Sequence, residues 1–243
     1  MNNPEFIVRQ MIGSMYAIYA IDLGVKLGLF VRLAEHEPVS IDELFSKAGS
    51  LANANLRHAW MRAIQAVGII NIDQHNQVTF NPQWKVPLTD PSSTAYIATL
   101  PACYIALSEA YPSFPDIFKT GRMLPWQSLG RHVVEDISAD SLRAANFFIS
   151  NVVVKIDGLV DRLRRGITVM DVGCSAGHST IRLAEEFPNS QFIGIDPWRE
   201  AIELANMHAA EHGNPSNLVF QNMCATQIPP DSVDDVILND VLH

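Results

Sequence analysis

The last third of the sequence alternates short apolar runs with amphipathic segments, and this alternation restricts the fold more than any other feature. Short apolar runs predict strands, and segments with apolar residues three or four apart predict helices. Strand–helix alternation is typical of a parallel sheet with right-handed crossovers. The sequence therefore predicts an α/β fold with a parallel sheet over residues 167–243. The predicted elements are strand 167–170, helix 178–187, strand 191–195, helix 199–212, strand 218–221 and strand 236–238.

Two groups of residues follow the first two predicted strands. The first strand leads into the loop 171–177, and Asp196 ends the second strand. Because ligands of parallel sheets lie beyond the carboxyl ends of the strands, the loop and Asp196 are expected to face one crevice. Gly173 and Gly177 let the backbone approach a ligand closely. The carboxylate of Asp196 is placed to accept two hydrogen bonds from a ribose diol.

The spacing within the loop distinguishes two classes of nucleotide. A dinucleotide site requires G-x-G-x-x-G, so that N–H groups reach a pyrophosphate, whereas this loop has G-x-x-x-G. Asp171 lies two residues before the first glycine, where it would repel phosphates and favour a cationic ligand. S-adenosylmethionine has no phosphate and carries a sulfonium, an amino acid end and a ribose. The residues favour this ligand over NAD, which argues against an NAD-linked oxidoreductase.

These residues resemble the first two motifs of the class I S-adenosylmethionine-dependent methyltransferases. The first motif of that family has an acid followed by glycines at alternating positions, and this chain has Ser175 where the middle glycine stands. The second motif is similar to residues 194–198. The resemblance implies a Rossmann-like domain with S-adenosylmethionine as cofactor, in which Asp196 binds the ribose and Trp198 packs near the adenine.

The third motif of the family is similar to residues 220–225. The family often places an Asp, which accepts a hydrogen bond from the adenine amino group, where this chain has Cys224. The resemblance therefore implies that backbone groups recognise the base. The full set of predicted cofactor-binding residues is Asp171, Gly173, Ser175, Gly177, Asp196, Trp198, Cys224, Ala225 and Asn239.

Residues 234–243 resemble the fourth-strand segment of plant and bacterial O-methyltransferases. His243 falls where that family has its general-base histidine, and an imidazole there would take a proton from a phenol or hydroxyl as the methyl group arrives. Many methyltransferases of other specificity also end this strand in Leu-His, so a catalytic and a non-catalytic interpretation of His243 both stay open. The resemblance implies in-line methyl transfer to a small-molecule acceptor, with a hydroxyl favoured and no metal ion required.

Residues 1–90 have the outline of a winged helix. This region has seven basic and eight acidic residues, and its helical segment 54–67 offers only Arg57 and Arg62 to a phosphate backbone. DNA recognition is therefore disfavoured, and a structural or dimerising role is favoured. The predicted elements are two helices over 6–33, helices over 40–47 and 54–67, and a hairpin of strands 69–72 and 78–80.

A stretch with three prolines, residues 82–91, predicts a domain boundary. Residues 91–166 are then predicted to form a mainly helical linker or lid region. The combination of a winged helix with a Rossmann-like domain resembles the small-molecule O-methyltransferases. Segment 121–126 is similar to the linker of a related bacterial-type group. The resemblance implies three regions, 1–90, 91–166 and 167–243, and a homodimer formed through the winged helix.

Charge and cysteine content restrict the partners and the location. The sequence has 17 Lys and Arg against 26 Asp and Glu, which disfavours nucleic acid as a partner. Cys103, Cys174 and Cys224 are widely spaced and odd in number, so neither a disulfide framework nor a structural zinc site is predicted. Asp22 and Lys26 interrupt the most apolar early stretch, which argues against a membrane span. A cytoplasmic protein is expected.

A complete class I methyltransferase has a seven-stranded sheet, whereas the strands predicted here end with the fourth, which would leave an unpaired strand edge. Three explanations are open: a fragment, a natural truncated paralogue without activity, or a chain whose sheet is completed by a partner. The favoured function is a methyltransferase. The alternative is a catalytically inactive paralogue that acts as a binding or dimerisation module.

Overall fold

The computed structural model describes residues 3–46, 54–125 and 128–238. The chain divides into two compact units, Met1–Ile105 and Ala106–His243. Across the described ranges, no helix has both the length and the apolar character that a bilayer crossing requires.

The first unit combines helices with a small antiparallel sheet. Its described elements are α1 (Pro4–Lys26), α2 (Leu29–His36), β1 (Val39–Ser40), α3 (Ile41–Phe45), α4 (Ala54–Ala66), β2 (Ile70–Ile72), β3 (Gln77–Phe80) and α5 (Pro82–Thr89). β3 lies between β1 and β2 and is antiparallel to both. The predicted hairpin is confirmed, with Ile70 opposite Phe80 and Ile72 opposite Val78.

Local signals set the helix ends in this unit, and an aromatic cluster fills its core. Gly28 adopts a left-handed φ of 64° between α1 and α2, a conformation that glycine tolerates without strain. The Ser40 hydroxyl accepts a hydrogen bond from the Glu43 N–H at 3.2 Å and so caps α3. The rings of Phe30 and Trp60 lie 5.7 Å apart in the core.

The proline-rich stretch 82–91 forms a helix over most of its length, α5. Pro82 occupies the first turn, where the missing N–H has no helical partner to lose. Pro87 lies inside the helix, and the side chain of Leu88 is buried in the core of the first unit. Prolines normally disfavour helix interiors, so the sequence pattern alone indicates a break here.

The second unit contains a parallel sheet and its covering helices. Its described helices and strands are α6 (Leu100–Leu107), which spans the division between the units, α7 (Phe114–Thr120), α8 (Arg131–Asn151), α9 (Leu159–Arg165), β4 (Thr168–Val172), α10 (His178–Glu186), β5 (Gln191–Asp196), α11 (Arg199–Glu211), β6 (Leu218–Asn222) and β7 (Asp235–Ile237).

The strands of this sheet lie in the order β6-β5-β4-β7, and all neighbours are parallel. The predicted parallel sheet is therefore confirmed. β5 and β6 extend the sheet on one side of β4, and β7 lies on the other side. Ligands of such sheets bind outside the carboxyl ends of the strands, at the point where the order reverses. On one face, Leu183 of α10 packs against Val169 and Phe192, and Ile202 of α11 packs in a cluster with Phe220.

Candidate active site

The loop 173–177 folds over the end of β5. The N–H groups of Gly173 and Cys174 both donate to the carbonyl of Ile195, at 2.8 and 3.0 Å. Gly173 and Gly177 have φ values of 73° and 79°, which explains why glycine occupies both positions. Ser175 also has a left-handed φ, 51°, which costs a residue with a side chain about 1–2 kcal/mol. The loop therefore needs other contacts to hold its shape.

Asp196 supplies one of these contacts. Its Oδ2 accepts the N–H of Ser175 at 3.0 Å, and its Oδ1 accepts the N–H of Trp198 at 2.8 Å. Each carboxylate oxygen has a second lone pair, so the side chain retains two acceptor sites for a diol. Burial raises the pKa of Asp196, and the two N–H donors oppose that shift. Asp196 thus organises the loop and offers acceptors at the end of β5.

Asp171 lies below the loop on β4 and is 4% exposed. Its Oδ2 accepts the hydroxyl hydrogen of Thr180 at 2.6 Å. Burial raises the pKa of Asp171 to about 6, the Thr180 hydrogen bond opposes this, and the negative charge of Asp196 adds to it. The two carboxylates therefore repel each other, and a cationic ligand in the crevice would relieve that repulsion. Thr180 has no recognisable signal in the sequence, because its contact with Asp171 depends on how α10 packs.

The end of β6 lies beside Asp196. The side chain of Asn222 and the N–H of Met223 donate to the Asp196 carbonyl at 2.9 and 3.1 Å. Cys224 and Ala225 are exposed just beyond this point, and the Cys224 N–H donates to the side chain of Gln227 at 2.9 Å. Hydrogen bonds from Thr226 lower the pKa of the Cys224 thiol. Cys224 and Ala225 are thus near Asp196, and their role toward an adenine stays a prediction.

Trp198 follows the site acid Asp196 but turns into the core. Its side chain is 6% exposed and packs against Val133, Ala201 and Leu204. The predicted place of this indole beside the adenine stays a prediction. Asn239 and His243 lie outside the described residues, and their roles stay predictions as well.

A second concavity, of about 340 Å³, lies elsewhere in this unit. Its lining is mainly apolar and includes Leu159, Leu163 and Ile237. Its lining includes neither the loop 173–177 nor Asp196, so it is distinct from the crevice proposed at the loop. Within the described ranges, no three His, Cys, Asp or Glu side chains are grouped as metal ligands would be.

The parallel sheet, the loop and Asp196 lie in the part of the chain that matches a known family model. Residues 163–243 match a family model described as a methyltransferase domain. No curated protein sequence matches the chain. The match to the family model covers about a third of the chain, the part that contains the strands β4 to β7.

Solved structures resemble the chain over nearly its whole length. Human N-acetylserotonin methyltransferase in complex with S-adenosylmethionine has a TM-score of 0.73 at 15% identity, over 100% of this chain and 72% of that one. An O-methyltransferase family protein from Burkholderia thailandensis has a TM-score of 0.70 at 15% identity, with the same coverage of 100% and 72%. Mitomycin 7-O-methyltransferase has a TM-score of 0.67 at 18% identity, over 98% and 71%. At these identities the similarity establishes a fold shared with these structures, and a shared fold does not by itself determine function.

Proposed function

We propose that the chain transfers the methyl group of S-adenosylmethionine to a hydroxyl group of a small-molecule acceptor. One observation carries the proposal: Asp171 and Asp196 lie on neighbouring strands beneath a loop in which Gly173 and Gly177 adopt left-handed φ values. Two mutually repelling carboxylates suit a ligand that is cationic and carries a ribose diol. The same carboxylates would repel the phosphates of a phosphate-bearing nucleotide.

The residues of the crevice have distinct roles in this proposal. Asp196 accepts from the ribose hydroxyls, and the backbone of Gly173, Ser175 and Gly177 faces the methionine end. The adenine lies near Trp198, Cys224, Ala225 and Asn239. S-adenosylmethionine supplies the activated methyl group, and the protein aligns the acceptor, excludes water and, through His243, removes the acceptor proton.

Similar structures support the class of acceptor. Their names include an N-acetylserotonin methyltransferase and a mitomycin 7-O-methyltransferase, so these two proteins act on small molecules, and the second acts on oxygen. The alternative is a catalytically inactive module that binds without transferring. The exposed Cys224 favours that alternative, because it occupies the position where the family often has an Asp that accepts a hydrogen bond from the adenine amino group.

Calorimetric titration with S-adenosylmethionine and its demethylated product tests the proposal. We expect micromolar binding by the wild type and none by Asp196→Ala, which loses the diol acceptors and the contact to Ser175. Asp73→Ala is a matched control, because Asp73 also accepts two backbone N–H groups, at 2.8 Å each, but in the hairpin of the other unit. This control should bind like the wild type.

Each outcome of that titration has a clear meaning. A folded wild type that binds neither compound contradicts the proposal. Binding without methyl transfer to any of a panel of hydroxylated acceptors identifies the inactive module.

We also propose that the first unit is a winged helix that dimerises through α1, in a cytoplasmic protein. The observation behind this is a large apolar surface on that helix, more than a single soluble helix usually exposes. Its exposed apolar side chains are Phe6, Val8, Met11, Ile12, Met15, Tyr16, Ile18, Tyr19 and Leu23.

A charge placed on this surface should separate the subunits. We expect Met11→Glu together with Tyr16→Glu to sediment as a monomer, because these side chains are 66% and 65% exposed in the single chain. Gln10→Glu adds a charge to an exposed polar position of the same helix and should sediment as a dimer. A wild type that sediments as a monomer at micromolar concentration contradicts this proposal.

A further inference from the structure

A chain of contacts links three helices to the loop of the crevice. His178 is the first residue of α10, and its ring stacks on that of His208 of α11 with 4.4 Å between centroids. Its Nε2 lies 3.0 Å from the Ser138 hydroxyl on α8. His208 Nδ1 lies 3.0 Å from the carbonyl of Ala176 in the loop. The contacts therefore run from Ser138 through His178 and His208 to Ala176.

The direction of one hydrogen bond in this chain follows from its chemistry. A carbonyl oxygen only accepts, so His208 Nδ1 carries the hydrogen and donates to Ala176. Ser138 is 4% exposed and Ala176 is fully buried, so both ends of the chain are shielded from water. The hydrogen bond to Ala176 is thus made where water offers little competition.

The protonation state of His178 favours the stacked arrangement of the two imidazole rings. Burial lowers the pKa of His178 to about 4, and the nearby His208 and His212 contribute to that lowering. His212 itself pairs with Glu185 of α10, at 2.7 Å. The groups that face His178 are therefore His208 and His212 from the end of α11 and the uncharged Ser138 from α8. Near neutral pH, His178 is a neutral ring that stacks without repelling its neighbour.

The loop needs support at this point. Ser175 has a left-handed φ of 51° and is held on one side by Asp196. Ala176, the next residue, has only a methyl side chain, and its carbonyl is held by His208 on the other side. The two contacts flank the strained residue.

We propose that Ser138, His178 and His208 are positioning residues, which hold the loop in the conformation that binds the cofactor and couple it to α8. The effect on cofactor binding rests on the proposed function, whereas the effect on the loop does not. α8 belongs to the segment 91–166, which the sequence predicts to be a linker or lid region. A shift of α8 would therefore alter the loop through Ser138 and the stacked rings.

Hydrogen exchange of the loop amides in the cofactor-free protein tests the support directly. We expect His208→Leu to lower the protection of the Ser175 and Gly177 amides about fivefold, the factor that one lost hydrogen bond gives. His208→Asn places an amide donor near the position of Nδ1 and should restore most of the protection. His58→Leu, at an exposed position of α4, is the control and should change nothing.

The same variants are then titrated with S-adenosylmethionine. We expect His208→Leu to raise the dissociation constant about fivefold and His208→Asn to return it toward the wild-type value. Ser138→Ala should give a smaller change of the same sign, because it acts through His178.

The outcomes separate the support of the loop from its effect on the cofactor. Unchanged exchange in His208→Leu overturns the positioning role. Changed exchange with an unchanged dissociation constant supports the contact to the loop and overturns its effect on the cofactor. A wild type that does not bind overturns the proposed function, while the exchange result still decides the positioning role.

Discussion

Gly177→Ala should lower the free energy of unfolding of the second unit by about 2–5 kcal/mol. Two causes add: a left-handed φ of 79°, which costs a residue with a Cβ about 1–2 kcal/mol, and a Cβ that would lie 2.4 Å from Cζ of Phe220. The overpacking contributes about 1–3 kcal/mol, since Phe220 is buried beneath the loop. Urea denaturation followed by circular dichroism measures the change.

The chain contains matched controls for both causes. Gly213 has the same φ of 79°, and a Cβ added there would have no neighbour within 4 Å, so Gly213→Ala should cost only about 1–2 kcal/mol. Gly194 has no left-handed φ, but its Cβ would lie 2.5 Å from Phe220, so Gly194→Ala should cost about 1–3 kcal/mol. Phe220→Leu should recover part of the loss in Gly194→Ala but none of that in Gly213→Ala. Equal losses in Gly177→Ala and Gly213→Ala would contradict the packing of Phe220 under the loop.

This steric role could not be inferred from the sequence, although the glycine itself could be recognised. The change from helical to strand periodicity at residue 167 is a local signal, so the parallel sheet, the loop 171–177 and the position of Asp196 were predictable. Contact between Gly177 and Phe220 joins residues far apart in the chain. It depends on the register of β6, which no local pattern specifies.

The same distinction applies to the other contacts of the site. Thr180 and Asp171 meet because α10 packs over β4, and His178 and His208 stack because α10 and α11 lie side by side. The motif resemblance places Trp198 near a ligand, whereas packing buries its indole against α8 and α11. A sequence motif specifies the order of residues, and the distribution of side chains between core and crevice is decided by tertiary packing.

The pH dependence of stability should reveal two buried groups that act in opposite directions. In the unfolded chain His178 takes up its proton near pH 6.5, but in the folded protein only near pH 4, because burial lowers its pKa. The unfolded state therefore binds more protons between these values, and His178 lowers stability as the pH falls, by up to about 3 kcal/mol. Asp171 is protonated below about pH 6 when folded and below 3.8 when unfolded, because burial raises its pKa.

As the pH falls, Asp171 therefore takes up its proton at a higher pH in the folded state than in the unfolded state. This uptake raises the free energy of unfolding by up to about 3 kcal/mol. The two contributions oppose each other between about pH 6 and about pH 4. Compared with the wild type, His178→Gln should gain stability on acidification from about pH 6.5 to about pH 4.5. Asp171→Asn should lose stability over the same interval. Urea unfolding at a series of pH values across that interval measures both differences.

Taking differences from the wild type removes the contribution of the titrating groups that do not interact with His178 or Asp171. The double variant should follow the wild-type profile, because the effects of the two substitutions cancel. His178→Gln with a wild-type profile would mean that His178 is protonated in the folded protein as easily as in the unfolded chain. Its ring would then carry a charge in mildly acidic solution, where it stacks on His208 beside the loop.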